Sequence, residues 1–192
     1  MNRAVTALIP LLIVIAMPAH AHTGTGIVHG FTAGFLHPLV GLDHLLAMVA
    51  VGLWAGCVGG RALWAWPLAF VTVMLLGALV GLGGWAMPQA EFLIGLTVVA
   101  LGLAAAMQLP LSVALGAGIC GLFALVHGYA HGAELPAGAD AAGYMGGFTL
   151  ATALLHATGL ALGLALSRLD RIWLPGLSGG AVAATGLVLL LG

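Results

Sequence analysis

His37-Pro38-Leu39-Val40-Gly41-Leu42-Asp43-His44 stands at the head of an otherwise apolar run, Leu45 to Cys57. The run is helical in length and carries no charge, yet two imidazoles and a carboxylate sit at its start. An ionisable side chain at membrane depth costs a few kcal/mol or more, so it faces a cavity or a partner and marks a pathway. Histidine and aspartate are also donor types for borderline divalent metals. The stretch therefore poses two questions together: whether the chain spans a membrane, and where further ligands lie.

Composition answers the first. The chain has 192 residues, of which 62% are hydrophobic and 5% charged, with a mean hydropathy of +1.22. Soluble domains carry roughly 25% charged residues. Four arginines and five acids cannot cover a water-facing surface of this size. The fold class is all-α, a polytopic membrane helix bundle embedded in a lipid bilayer. With no lysine and a net charge of −1 there is no basic patch for nucleic acid. Cys57 and Cys120 lie inside apolar runs and read as small buried residues in helix packing.

Residues 1–21 read as a signal peptide. Arg3 supplies the positive end, Ala4 to Met17 the apolar stretch, and Ala19-His20-Ala21 a small-x-small cleavage site. Cleavage there leaves His22 as a periplasmic N-terminus. Residues 22–36 are Gly/Thr-rich and too short to span. They read as a periplasmic or interfacial segment, a short helix at the outer surface or dipping into it. Residues 37–192 form the transmembrane domain. A span needs about 20 apolar residues, and six candidates follow, at 37–58, 62–84, 89–109, 111–130, 141–166 and 172–192. Small residues recur four apart: Gly52 and Gly56, Gly77 and Gly81, Gly128 and Gly132, Gly143 and Gly147, Gly159 and Gly163. That spacing lets helix backbones approach closely in lipid.

With the mature N-terminus outside, the loops at 59–61 and 167–171 fall in the cytoplasm. They hold Arg61, Arg168 and Arg171, as the positive-inside rule requires. The chain is thus expected to be a multi-pass protein of the bacterial inner membrane. On this topology His22, His29 and His37 lie at the outer surface, and His44 about 10 Å into the first span at 1.5 Å per residue. His127 and His131 close the fourth span, with Glu134 just beyond, and Glu91 opens the third on the same side. His156 alone lies deep. His127 and His131 are four apart and share a helical face. His37 and His44 are seven apart, too far for one ion on a straight helix. Pro38 suits a first helical turn, which puts His37 on a bent lead-in while Asp43 and His44 point into the bundle. His22, if it is the free N-terminus, joins an α-amine to an imidazole in a compact chelate.

Two stretches resemble the signatures of the HupE/UreJ family. The first is His37-Pro38-x-x-Gly41-x-Asp43-His44, followed by Leu45, Met48 and Gly52. The second is His127-Gly128-x-Ala130-His131-Gly132-x-Glu134. The likeness extends to the leader, the size and the span count. It implies a nickel or cobalt permease linked to hydrogenase or urease maturation, not an enzyme, with Ni²⁺ or Co²⁺ as cargo and no cofactor. It carries over His37, Asp43, His44, His131 and Glu134 as metal-handling residues, with Glu91 a plausible further member. The leading expectation is a secondary transporter, since no GxxxxGK[ST] nucleotide loop is present.

Three other readings stand beside it. A metal-dependent intramembrane hydrolase would need three protein ligands and an open position, and would turn over substrate without moving metal. A serine hydrolase would use the Gly176-Leu177-Ser178-Gly179-Gly180 match with His156 as base. A haem carrier would use paired histidines on facing helices, such as His44 and His127.

Overall fold

The computed structural model describes residues 30–169 and 173–192. Among the described residues, seven helices run α1 (Gly30–Val40), α2 (Leu42–Val58), α3 (Ala62–Leu82), α4 (Ala90–Ala106), α5 (Val113–Ala133), α6 (Ala141–Ser167) and α7 (Trp173–Leu191). Among the described residues there is no strand. The signal peptide, His22, His29 and Arg171 lie outside the described residues.

Among the described residues, four helices, α3, α5, α6 and α7, are long and apolar enough to cross a membrane, and α1 with α2 makes a fifth if the bent pair is one span. The α4 helix, at 17 residues, is apolar but shorter than those spans. Large side chains such as Leu68, Leu79, Leu122 and Leu177 are exposed on the outward faces, as lipid-facing surfaces require. The core is lined instead by Trp54, Trp66, Phe70, Met48, Met74 and Phe148.

The glycines set how the helices pair. A Cβ on Gly77 or Gly81 of α3 would collide with the backbone of α5 at Leu125 and Tyr129. One on Gly128 or Gly132 of α5 would collide with α3 at Met74 and Ala78. The same reciprocity joins Gly52 and Gly56 of α2 to Gly159 and Gly163 of α6. Gly143 and Gly147 receive the backbone of α1 at Phe31 and Phe35, and Gly30 and Gly34 of α1 press on Asp140 and Tyr144 in return. In lipid, where apolar side chains gain little by leaving the solvent, this close backbone approach is the main attraction between helices.

The first span differs from the expected 37–58. Residues 37–40 end α1, and the chain bends by 79° before α2. Proline at position 38 removes the N–H that would bond the Gly34 carbonyl. The helix runs only two residues further. Gly41 is extended, with φ −78° and ψ 107°, and its carbonyl accepts from Leu45 N–H at 2.9 Å, opening α2. Because α1 runs along the start of α6, α2 begins well below the end of the bundle. Pro38 is therefore not in a first turn, but the bent lead-in expected for His37 is present.

The fifth helix also runs past the expected limit of 130, to Ala133, so His131 belongs to the helix. Arg61 and Arg168 lie at the opposite end of the bundle from His131, at the α2–α3 turn and the end of α6. That end is closed by two buried indoles 4.3 Å apart, Trp54 and Trp66. Trp54 Nε1 donates to the Leu109 carbonyl and Trp66 Nε1 to the Val113 carbonyl, each at 3.0 Å.

Candidate metal centre

The bend at Gly41 decides the site. On one straight helix His37 and His44 are two turns apart; across the bend their ring centroids are 5.7 Å apart. His131 of α5 fills the third corner, 4.8 Å from the His37 ring and 4.6 Å from that of His44. One ligand nitrogen from each of the three lies within 4.8 Å of the others. A small movement of the rings would place all three on one ion, given zinc-type M–N distances of about 2.0–2.1 Å.

Burial leaves nitrogens of two of the three, His44 and His131, without a protein partner. His131 is fully buried, and neither of its ring nitrogens has a protein partner. Its ring lies flat against Phe148, at 4.6 Å and 6°. His44 is oriented by its neighbour: Asp43 Oδ1 accepts from the His44 backbone N–H at 2.7 Å and from the ring Nδ1–H at 2.8 Å. With Nδ1 holding the proton, Nε2 presents a bare lone pair, and it too is buried without a partner. A carboxylate behind a ligating imidazole fixes the tautomer and raises its basicity. Gly41 leaves room for this pair, since a Cβ there would stand 3.2 Å from Asp43 Oδ1.

His37 pairs outward, with Nε2 3.2 Å from Glu134 Oε2. Glu134 caps the end of α5 and is half exposed. The hydrogen bond and charge of His37 hold its carboxyl below the usual carboxylate range, against the opposing effect of burial. Tyr144 stands behind His37, rings 5.9 Å apart.

Glu91, exposed in the first turn of α4, is not among the three imidazoles. It joins Asp43 in the wall of a cavity of about 340 Å³, with Phe92, Gly95, Leu189 and Leu190. This cavity lies on the carboxylate side of the centre. His127 lies next to His44, rings 4.9 Å apart, and outside the three-imidazole group. Thr97 Oγ1 donates to the Ile94 carbonyl at 2.7 Å and lies 2.8 Å from His127 Nε2. Its single proton is committed, so the hydroxyl accepts from His127 Nε2–H, which leaves Nδ1 bare and without a partner. Sequence reading missed Thr97, although a threonine in the apolar run that follows Glu91 was the available signal. Thr97→Val removes this tautomer lock without changing side-chain shape. The expected result is loss of the single His127 tautomer, read from its ring nitrogen chemical shifts, with the three-imidazole group left intact.

His156 stands apart from the cluster. Its ring is edge-on to Phe70 at 5.1 Å, and Phe70 in turn lies 5.8 Å from His127. Two of the other readings lose their geometry here. Ser178 donates to the Leu174 carbonyl of its own helix at 3.1 Å, and its motif lies within α7 rather than at a strand-to-helix elbow. His44 and His127 are in direct ring contact, with no room for a porphyrin between them.

The model of the HupE / UreJ protein family matches residues 10–189. Protein HupE of Rhizobium leguminosarum bv. viciae is 45% identical over 184 residues, covering 94% of this chain and 95% of that protein. No solved structure matches the chain.

Proposed function

The chain belongs to the HupE/UreJ family, and from that premise we propose that it is a secondary transporter carrying Ni²⁺ or Co²⁺ from periplasm to cytoplasm, in the service of hydrogenase or urease maturation. The observation that carries this reading is the convergence of His37, His44 and His131, in which His44 Nε2 and both ring nitrogens of His131 are buried and have no protein partner. Neutral imidazoles bind nickel, cobalt, copper and zinc and have little affinity for hard ions.

In this reading a hydrated ion meets Glu91 and Asp43 in the cavity beside α4, exchanges water for imidazole nitrogen, and has its charge offset by Asp43 and Glu134. The bent pair α1–α2 and the short α4 complete six spans in the inner membrane, after a cleaved leader. Arg61 and Arg168 face the cytoplasm. The Trp54–Trp66 pair then lies between the centre and the cytoplasm. A divalent cation moving inward gains about 4.6 kcal/mol per 100 mV of membrane potential, twice the value for one charge.

The test is ⁶³Ni²⁺ uptake by cells lacking their own importers, with Co²⁺, Zn²⁺ and Mg²⁺ as competitors. Suppression by Co²⁺ and not by Mg²⁺ supports the reading; no uptake by protein that binds nickel overturns it. Uptake should also fall as external pH is lowered from 7.5 to 5.5, because protons compete for the ligand lone pairs. Equal uptake at pH 5.5 and 7.5 would rule out imidazole capture as the controlling step.

A further inference from the structure

Below the imidazoles, two methionine sulfurs converge on one buried hydroxyl. Thr152 of α6 donates to Met48 Sδ of α2 at 3.2 Å, and Met74 Sδ of α3 lies 3.6 Å from the same oxygen. All three residues are fully buried. The hydroxyl's choice of partner is unusual for this chain. Thr72, Thr158 and Thr185 each bond the carbonyl four residues back in their own helix, whereas Thr152 turns to sulfur.

His156 follows Thr152 by four residues and shares its helical face. Its ring meets Phe70 of α3 edge-on and lines a cavity between α3 and α6 with Pro67 and Val71. It is buried, and neither ring nitrogen has a protein partner. Phe70, in edge contact with His156, stands one turn from Met74 on α3. Met48 stands one turn beyond His44 on α2, on the face that carries the imidazole. Two thioethers, a hydroxyl and an unsatisfied imidazole thus follow the three-histidine centre into the core, contributed by three helices.

We propose that Met48, Met74 and His156 form a second transition-metal site, a soft transit site inward of the imidazole cluster that selects against Mg²⁺ and Ca²⁺. Thioether sulfur and imidazole nitrogen bind softer and borderline ions and are poor ligands for hard ones. Thr152 occupies the Met48 lone pair when no ion is present, and rotation about one bond releases it. The role in transit rests on the transport reading above; the site itself does not.

The test uses purified full-length protein with Ni²⁺ as the probe, read by nickel X-ray absorption and by binding stoichiometry, beside uptake into proteoliposomes. Leucine fills methionine's volume and keeps the packing, so the Met48→Leu/Met74→Leu variant deletes the sulfurs alone. Wild type is expected to show sulfur as well as nitrogen scatterers. The double variant should lose the sulfur signal and one equivalent of nickel, and become about tenfold more sensitive to competing Mg²⁺, a selectivity change of 1.4 kcal/mol. His156→Leu should lower the same equivalent while sparing the outer nitrogen signal. Absence of sulfur at saturating nickel, or its persistence in the double variant, overturns the site. Protein that binds nickel through Met48 and Met74 yet moves none across the vesicle would sustain the site and overturn the transport reading. Transport with no sulfur signal and an unaltered double variant would do the reverse.

Discussion

His131→Phe is expected to abolish nickel uptake and, at the same time, to stabilise the metal-free protein. The two effects share one cause. His131 is fully buried and both its ring nitrogens lack a protein partner. A buried polar atom left unsatisfied costs about 1–3 kcal/mol, a cost that the ion would offset on binding. Phenylalanine keeps a flat ring for the stack on Phe148 and removes both nitrogens. Uptake should fall to the level of cells without the protein, since His131 is the only corner of the centre supplied by α5. The melting temperature of detergent-solubilised, metal-free protein should rise by several degrees, by the usual conversion for a domain of this size. Adding Ni²⁺ should raise it further in wild type and leave the variant unmoved, as ligand linkage requires. A variant that still transports would remove His131 from the site. One that melts lower with no response to nickel in either protein would show that the ring is structural. Asp43→Asn addresses the neighbouring corner. It weakens the hold on the His44 tautomer, and uptake should drop 10- to 100-fold with the protein still folded.

The second large effect concerns the scaffold. Gly77→Val should prevent the protein from accumulating in the membrane, while Gly118→Ala should be silent. A Cβ at Gly77 would run into the Leu125 carbonyl of α5, and backbone cannot yield as a flexible side chain can. Valine adds two methyl groups to that collision, and overpacking of this kind costs roughly 1–3 kcal/mol, sometimes more. The α3–α5 pair carries Phe70, Met74, His127 and His131, so the loss extends to every layer of the proposed path. Gly118 has open space where its Cβ would be, and alanine improves helix propensity by up to about 1 kcal/mol. Membrane levels and a monodisperse peak in detergent distinguish them. Equal behaviour of the two variants would mean that the α3–α5 contact does not hold the bundle together.

Much of this was legible beforehand because lipid leaves few options. A spanning segment must satisfy its own backbone, and in an apolar sequence that means a helix. The helices α3, α5, α6 and α7 appear close to where hydropathy placed them, and the four-residue glycine spacing marked the faces that touch. Gly30 and Gly34 escaped notice because they lie in a stretch whose composition suggested only a surface segment. The α4 helix lies within the expected 89–109 but is shorter than its apolar run, since the chain leaves the helix at Met107, before Pro110.

The donors were legible by type and not by geometry. Counting residues placed His37 and His44 too far apart for one ion, and that count is right for a straight helix. It fails because Pro38 and Gly41 turn the chain by 79°. Glu134 was visible as a donor, but its hydrogen bond to His37 joins residues 97 positions apart across two helix ends. The Thr97 bond to His127 and the approach of Met48 and Met74 to Thr152 are likewise contacts between helices.

By itself, then, the sequence determined the solvent, the helical class, the family and the inventory of imidazoles and carboxylates, because each depends on residue type and local spacing alone. Only the tertiary structure decided which of them meet. His37, His44 and His131 converge, while Glu91 stands across a cavity and His156 belongs to a deeper layer. The reason is physical. In a membrane bundle the helices are set by backbone contact at glycines, and a bend at one residue moves a side chain by more than the reach of a metal–ligand bond. Local periodicity carries no record of that bend.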